Sequence, residues 1–445
     1  MSMSTKKGAS NITNAMLYSI ESVTAILFTV LSISLVARHF GPEMFSRFSV
    51  AMSISTIFMV FITLGLDQFI IKEMVRNRLD AEYVTSTSLG LLFGWVLYVA
   101  AIVIYYLIFK DFSRDLFLIV NVVVATFFLK VVFIKSYLQA QNKPKSIAVA
   151  SVVSRLFSAA YLVVGAHYDF SFNAMMIYMP LQAFILTAGM CFHQPDYFGL
   201  IRLRNFSLNR LKTIVRESSP VFISTVLFFF YNQSDVLIMS NLLDPKAVGI
   251  YSASIRIIPQ AAFIGYVLVA TFYTEMDRKL LADRQAFESY VKSVLTVQFA
   301  VGIVMAAVTC LASGLIINLL YGARYAESAK VLAISCWSWV FIMPAALYSR
   351  LLIMLGHVRY ELIKMLIVAP LILVLNYLVI SYVGIIGCAF VFVFSYFLVD
   401  FFIYFVFKDT RYLGKLGLAA LTDIFTKPRE TFNLSVKLFT ARHAL

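Results

Sequence analysis

The chain has 445 residues, of which 61% are apolar and only 13% charged, and its mean hydropathy is +0.86. A soluble domain keeps about a quarter of its residues charged, so this composition excludes a soluble enzyme and calls for a surface that faces lipid. The formal charge of +14 does not point to nucleic acid, because the basic residues sit in short loops between long apolar runs.

A bilayer core is crossed by about 20 apolar residues in helical form, with every backbone group bonded internally. Runs of that length fall at 15–37, 48–71, 88–109, 116–138, 147–165 and 172–192, then at 219–242, 249–275, 293–320, 331–355, 364–382 and 384–407. These are spans 1 to 12. Span 1 is too long for a signal-peptide core and reads as a spanning helix. The 41 Phe and 24 Tyr suit lipid-facing and interfacial positions.

Charge orients the spans. With the N-terminus inside, 25 Lys and Arg fall in inner segments, among them Lys72, Lys143, Arg202, Arg216, Arg278, Arg359, Lys364 and Lys415. Only seven fall in outer loops: Arg38, Arg47, Lys110, Arg114, Lys246, Arg324 and Lys330. Both termini are therefore expected to be cytoplasmic. The outer loops are too short for a catalytic or receptor domain, so the function is expected inside the helix bundle.

The predicted fold is an all-α polytopic membrane protein of about twelve transmembrane helices in two six-helix bundles. The expected divisions are 1–192 for the first lobe, 193–218 for a basic cytoplasmic connector, 219–407 for the second lobe and 408–445 for a cytoplasmic amphipathic tail. The stretch from Ala37 to Ser49 aligns without gaps on Ser240 to Ser252, matching Pro42 to Pro245, Phe48 to Tyr251 and Ser49 to Ser252. Six helices per lobe give both lobes one orientation, hence a parallel pseudo-twofold repeat of the kind that rocks about a central cavity.

An ionisable residue inside a span costs about 2.5–3.5 kcal/mol on insertion scales and marks a wet or paired position. Lys135 and Arg350 lie close enough to inner helix ends to snorkel. Lys130 and Arg155 lie about 12–15 Å inside by the helical rise, on consecutive spans with no acid on either. They form either an anion site suited to a diphosphate or salt bridges to a distant helix. Ser151 and Ser158 share a helical stripe with Arg155, and Tyr137 and Gln141 share one with Lys130, which predicts a wet face. Asp235 and Arg256 flank the outer turn between spans 7 and 8 at equal depth, as a structural ion pair or a gate. Ser252, Arg256 and Gln260 form a further polar stripe. Glu21, Asp67 and Asp400 either titrate and couple transport to H+ or Na+, or neutralise Lys135 or Arg350.

The four cysteines (Cys191, Cys310, Cys336, Cys388) lie in or beside apolar spans without metal or redox spacing and read as small apolar fillers. No catalytic residue, metal site or cofactor is predicted.

Four stretches carry a resemblance along nearly the whole chain. They are Arg38-His-Phe-Gly-Pro-Glu; Asp235-Val-Leu-Ile-Met-Ser with Val248-Gly-Ile-Tyr-Ser-Ala-Ser; Leu320-Tyr-Gly-Ala-Arg-Tyr-Ala-Glu-Ser-Ala; and the helix ends Leu138-Gln-Ala-Gln-Asn-Lys and Met354-Leu-Gly-His-Val-Arg. In their order and spacing the chain resembles Wzx-type O-antigen flippases, the polysaccharide-transport branch related to multidrug and toxin extrusion (MATE) exporters. The resemblance implies a MATE-like fold, alternating access and an undecaprenyl-diphosphate-linked oligosaccharide as substrate. It also implies a bacterial inner membrane, with other polysaccharide-assembly membrane proteins as partners. On that reading Lys130, Arg155 and Arg256 meet phosphate, Tyr231, Asn232, Gln233 and Tyr251 are wall residues for the sugars, and Gln260 joins the substrate-binding set.

Three other readings compete. A cation-coupled drug exporter of the MATE type wants acids in its lobes and fewer deep cations. An O-antigen polymerase or membrane glycosyltransferase wants a sizeable outer loop or soluble portion. A peptidoglycan-precursor flippase wants two further C-terminal helices. The segment from Lys408 to Leu445 is instead basic and amphipathic, suited to the anionic inner leaflet.

Overall fold

The computed structural model describes residues 2–63, 70, 74 and 81–431, with side chains from residue 16 onward except 217–221. All regular structure among these residues is helical, as the composition requires. Among the described residues ten helical segments are long and apolar enough to cross a membrane. We label them α1 (Met16–Thr63), α2 (Ala81–Phe109), α3 (Phe112–Ala140), α4 (Pro144–His167), α5 (Phe172–Phe192), α6 (Phe222–Leu242), α7 (Pro245–Ala282), α8 (Arg284–Tyr321), α9 (Ser328–Met354) and α10 (Arg359–Val406).

Two of these, α1 and α10, are 48 residues long. A straight helix of that length is about 72 Å, more than twice the hydrocarbon core, so neither is one crossing. Each is broken by a glycine with positive φ: Gly41 (φ 77°) in α1 and Gly384 (φ 70°) in α10. A residue with a Cβ is strained there. Divided at these glycines, the ten segments are consistent with the twelve expected spans. Asp111, Ser171, Asp244 and Asp283 cap the starts of α3, α5, α7 and α8, each accepting a first-turn backbone N–H.

The chain forms two compact units, residues 1–237 and 238–445. In the first, α4 packs between α1 and α5. The connector is docked on this unit. Tyr197 is fully buried against Phe133 and Tyr137, and Thr85 and Ser86 of α2 hydrogen-bond the connector backbone at Leu200 and Ser207. Its outward side presents Phe198, Leu203 and Phe206 with Arg202 and Arg204.

In the second unit α8 packs on α7 and α9. Its buried face carries Gly302, Ala306, Thr309 and Ser313, while Val304, Val308, Leu311, Leu315 and Leu319 form an exposed stripe at three- and four-residue spacing. Small residues inward and large apolar ones outward is the pattern of a helix in lipid.

A further helix, α11 (Arg411–Thr426), has the amphipathic character expected of the tail, but it does not lie free on a leaflet. Leu413, Gly414, Gly417 and Ala420 are buried, and the helix runs along α8, tied by Lys292 to Asp423 (2.5 Å) and by Arg284 over the Tyr412 ring. Its other side exposes Lys415, Leu418 and Phe425. Residues 432–445 lie outside the described part.

Candidate functional site

Several of the expected charges sit where helices are irregular. In α3 the helix runs to Thr126, opens into a π turn at Phe127–Val131, and breaks at Val132 (ψ 78°) before resuming at Ile134. The Val132 N–H reaches back to the Phe127 carbonyl, five residues earlier. Lys130 lies on one side of the break and Lys135 on the other. α7 is interrupted likewise: its first helix ends at Ile255, Arg256 caps it, and a short 3-10 turn follows at Ile258–Ala261. Asp400 sits in a second π turn, Leu398–Phe402. Such interruptions recur where membrane transporters bind their ligands.

In the first unit the break in α3 opens onto a cavity of about 250 Å³ lined by Lys130, Lys135, Ser136, Gln139 and Thr63 among apolar neighbours. Beside it, the Glu21 carboxylate of α1 stands 3.1 Å from Lys135 Nζ and 3.1 Å from Arg155 Nη2. Arg155 also donates from Nη1 to the Glu21 carbonyl (2.7 Å) and to Thr24 Oγ1 (2.5 Å). The two residues are largely buried, with side chains 12% and 14% exposed for Arg155 and Glu21.

Of the two readings open for Arg155, the salt bridge to a distant helix is present, to Glu21 of α1. Lys135 turns to Glu21, whereas Arg350 is exposed at the end of α9. In the stripe predicted to be wet, Ser151 and Ser158 are buried in the packing of α4, and their hydroxyls find no partner among the described residues. Tyr137 stacks its edge on Tyr197 instead of lining a path. Among the described residues Glu21 thus meets two bases, Lys135 and Arg155.

The second unit holds a cluster of opposite sign. Lys364, with its side chain 4% exposed, lies 2.8 Å from Glu361 Oε2 and 3.7 Å from Asp400 Oδ1. Ser349 of α9 donates to the other Glu361 oxygen at 2.8 Å. The Tyr404 ring lies beneath the ammonium (5.8 Å) and stacks on Tyr348 of α9 (4.4 Å). Asp400 thus pairs with Lys364, not with Lys135 or Arg350. Sequence reading counted Lys364 at the inner boundary and missed Glu361. The available signal was their three-residue spacing ahead of an apolar run.

Of the remaining expected residues, Tyr231 is buried and Asn232 half-buried, both on α6. Asp235 is buried on the same helix, and one of its oxygens accepts the Val236 N–H at 2.7 Å. Gln260 is half-buried and donates to the Arg256 carbonyl at 3.4 Å. Asp235 belongs to the first unit and Arg256 to the second. Asp67 lies outside the described residues. Among the described residues no group of three His, Cys, Asp or Glu side chains is placed to hold a metal ion.

Comparison with known proteins bears on both family and fold. Residues 12–272, more than half of the chain, match the family described as polysaccharide biosynthesis protein. The chain belongs to that family.

Solved structures similar to this polysaccharide biosynthesis protein are membrane transporters. The lipid II flippase MurJ in an inward closed conformation is 16% identical, with a TM-score of 0.67 over 96% of this chain and 97% of the other. An inward-facing multidrug resistance MATE family transporter of the MOP superfamily is 15% identical, with a TM-score of 0.64 over 89% and 96%. A MOP superfamily transporter from Pyrococcus furiosus is 13% identical, with a TM-score of 0.52 over 93% and 96%. At these identities the likeness shows the fold, which is MATE-like as expected. No curated protein matches the chain. The fold is one shared with a membrane transporter and a lipid flippase.

Proposed function

We propose that this protein flips an undecaprenyl-diphosphate-linked oligosaccharide, an O-antigen repeat unit, across the bacterial inner membrane by alternating access. The observation that carries the reading is the cavity at the broken α3, lined by Lys130 and Lys135 with Ser136 and Gln139. Ammonium groups in a confined, partly dry site bind phosphate oxygens through charge-assisted hydrogen bonds. Hydroxyl and amide groups next to them suit the first sugar. Arg155, held by Glu21, fixes the cationic field rather than reaching the ligand itself, and Arg256 with Gln260, Tyr231 and Asn232 serves the sugars or the phosphate in another state.

A drug exporter is less well matched, since the cavity lining carries Lys130 and Lys135, which do not favour an organic cation. Transport is coupled to an ion, H+ or Na+, with Glu21, Asp67, Asp235 and Asp400 as the candidate acids. The lobes and connector act with both termini in the cytoplasm, and the basic outer faces of the connector and of α11 rest on anionic lipid.

Deletion of the gene, followed by extraction of lipid-linked sugars, tests the function. Accumulation of complete, unpolymerised repeat units on the cytoplasmic side is expected. An unchanged lipid pool with altered tolerance to cationic drugs would contradict the proposal and favour an exporter.

A further inference from the structure

The cluster in the second unit carries one positive and two negative groups: Lys364, Glu361 and Asp400. Burial makes this imbalance costly, because uncompensated charge in a low-dielectric setting is strongly disfavoured. The two acids are not equivalent. Glu361 has a donor on each oxygen, Lys364 on one at 2.8 Å and Ser349 on the other at 2.8 Å. Asp400 is deeper, 7% exposed, and its oxygen is 3.7 Å from Lys364, beyond hydrogen-bond reach.

Among the described residues Lys364 is the base paired with Asp400. α9 contributes Tyr348 and α10 contributes Tyr404; both are buried, and their hydroxyls have no hydrogen-bond partner among the described residues. α11 turns Leu413, Gly414, Gly417 and Ala420 inward, none of which titrates. A metal cation entering this cluster would meet the Lys364 ammonium, already seated between the acids. A proton on Asp400 removes the imbalance without that conflict.

We propose that Asp400 is the site at which this protein binds and releases its coupling proton. The proposal rests on the transport reading above and names the ion and residue for it. Asp400 and Lys364 lie on opposite sides of Gly384, on the two arms of α10. Ionised, Asp400 ties those arms together through Lys364. Protonated, it lets them part, so the proton state acts on the relative position of two helices. Asp400 lies six residues before Val406, about 9 Å along the helix from its inner end.

Infrared difference spectroscopy of the full chain in nanodiscs, titrated between acid and alkaline pH, tests this without any substrate. Wild type should show the carbonyl stretch of a protonated carboxylic acid that appears and disappears with pH. D400N should lose that band, E361Q should keep it, and Asp400→Glu should shift it. Persistence of the band unchanged in D400N and Asp400→Glu, or its absence from wild type, would overturn the proposal. Loss of the band on replacing choline with sodium at fixed pH would overturn it in favour of a sodium site. If D400N does not insert, Asp400→Glu alone decides through the shift. Binding of undecaprenyl diphosphate to the same nanodiscs is scored separately: its absence sinks the substrate reading and leaves the proton result standing.

Discussion

Glu21 and Arg155 are joined twice, through carboxylate and guanidinium at 3.1 Å and through the Glu21 carbonyl and Arg155 Nη1 at 2.7 Å. The pair fastens α1 to α4 across 134 positions of sequence. Glu21→Ala leaves Arg155 buried without its counter-charge, a loss of about 3 kcal/mol for a desolvated pair, whereas Arg155→Ala leaves Glu21 with Lys135 at 3.1 Å and costs less. Glu21→Ala and Arg155→Ala should therefore each lower the thermal midpoint of the detergent-solubilised protein. The double variant should lose less than the sum of the two, which a double-mutant cycle measures.

Lys130→Ala and Lys135→Ala should act differently. Each removes a charge-assisted contact worth about 1.5–3 kcal/mol, so binding of undecaprenyl diphosphate should weaken by roughly ten- to a hundredfold. Thermal stability should fall less for Lys130→Ala than for Arg155→Ala. Raising salt should weaken wild-type binding more than binding to Lys130→Ala. Equilibrium binding at two ionic strengths checks both statements.

Gly417 of α11 faces Tyr348, and a Cβ there would stand 1.9 Å from the Tyr348 hydroxyl oxygen. Tyr348 is fully buried and stacked on Tyr404, so it has no room to yield. Gly417→Ala should cost about 1–3 kcal/mol by overpacking, and adding Tyr348→Phe should restore much of it by removing the oxygen. Gly314→Ala, on an open face of α8 with nothing within 4 Å, should instead stabilise by up to about 1 kcal/mol. Thermal unfolding of the three variants decides the matter.

Exchanging Asp235 and Arg256 separates two roles. Retained surface polysaccharide in the swapped protein, with loss in each single variant, is expected of a structural ion pair. Loss in the swap as well assigns one of them a direct ligand role. The readout is polymer level at matched protein abundance.

The spans were legible because lipid imposes a length and a composition that few other folds share. Gly41 was legible too, since the Phe-Gly-Pro sequence between two apolar runs forces a turn. The partner of Arg155 was not, because periodicity says which residues share a face but not which distant helix covers it. Ser151 and Ser158 share their stripe with Arg155 as the spacing predicts, yet α4 turns that stripe toward its neighbours. The break in α3 left no mark in sequence: Phe127–Val131 contains neither Gly nor Pro, whereas Pro259 does accompany the break in α7. Likewise the amphipathic tail was readable, but an apolar face looks the same whether it rests on lipid or on α8.

The most direct test of the account is a translocation assay in vesicles containing the purified full chain and an undecaprenyl-diphosphate-linked oligosaccharide, with the sugar on the outer surface scored by an impermeant reagent. Protein-dependent movement of the lipid, lost in Lys130→Ala with Lys135→Ala while both variants insert normally, is the result the account expects. Movement at the wild-type rate in that double variant, or none in wild type alongside uptake of a cationic dye, would contradict it.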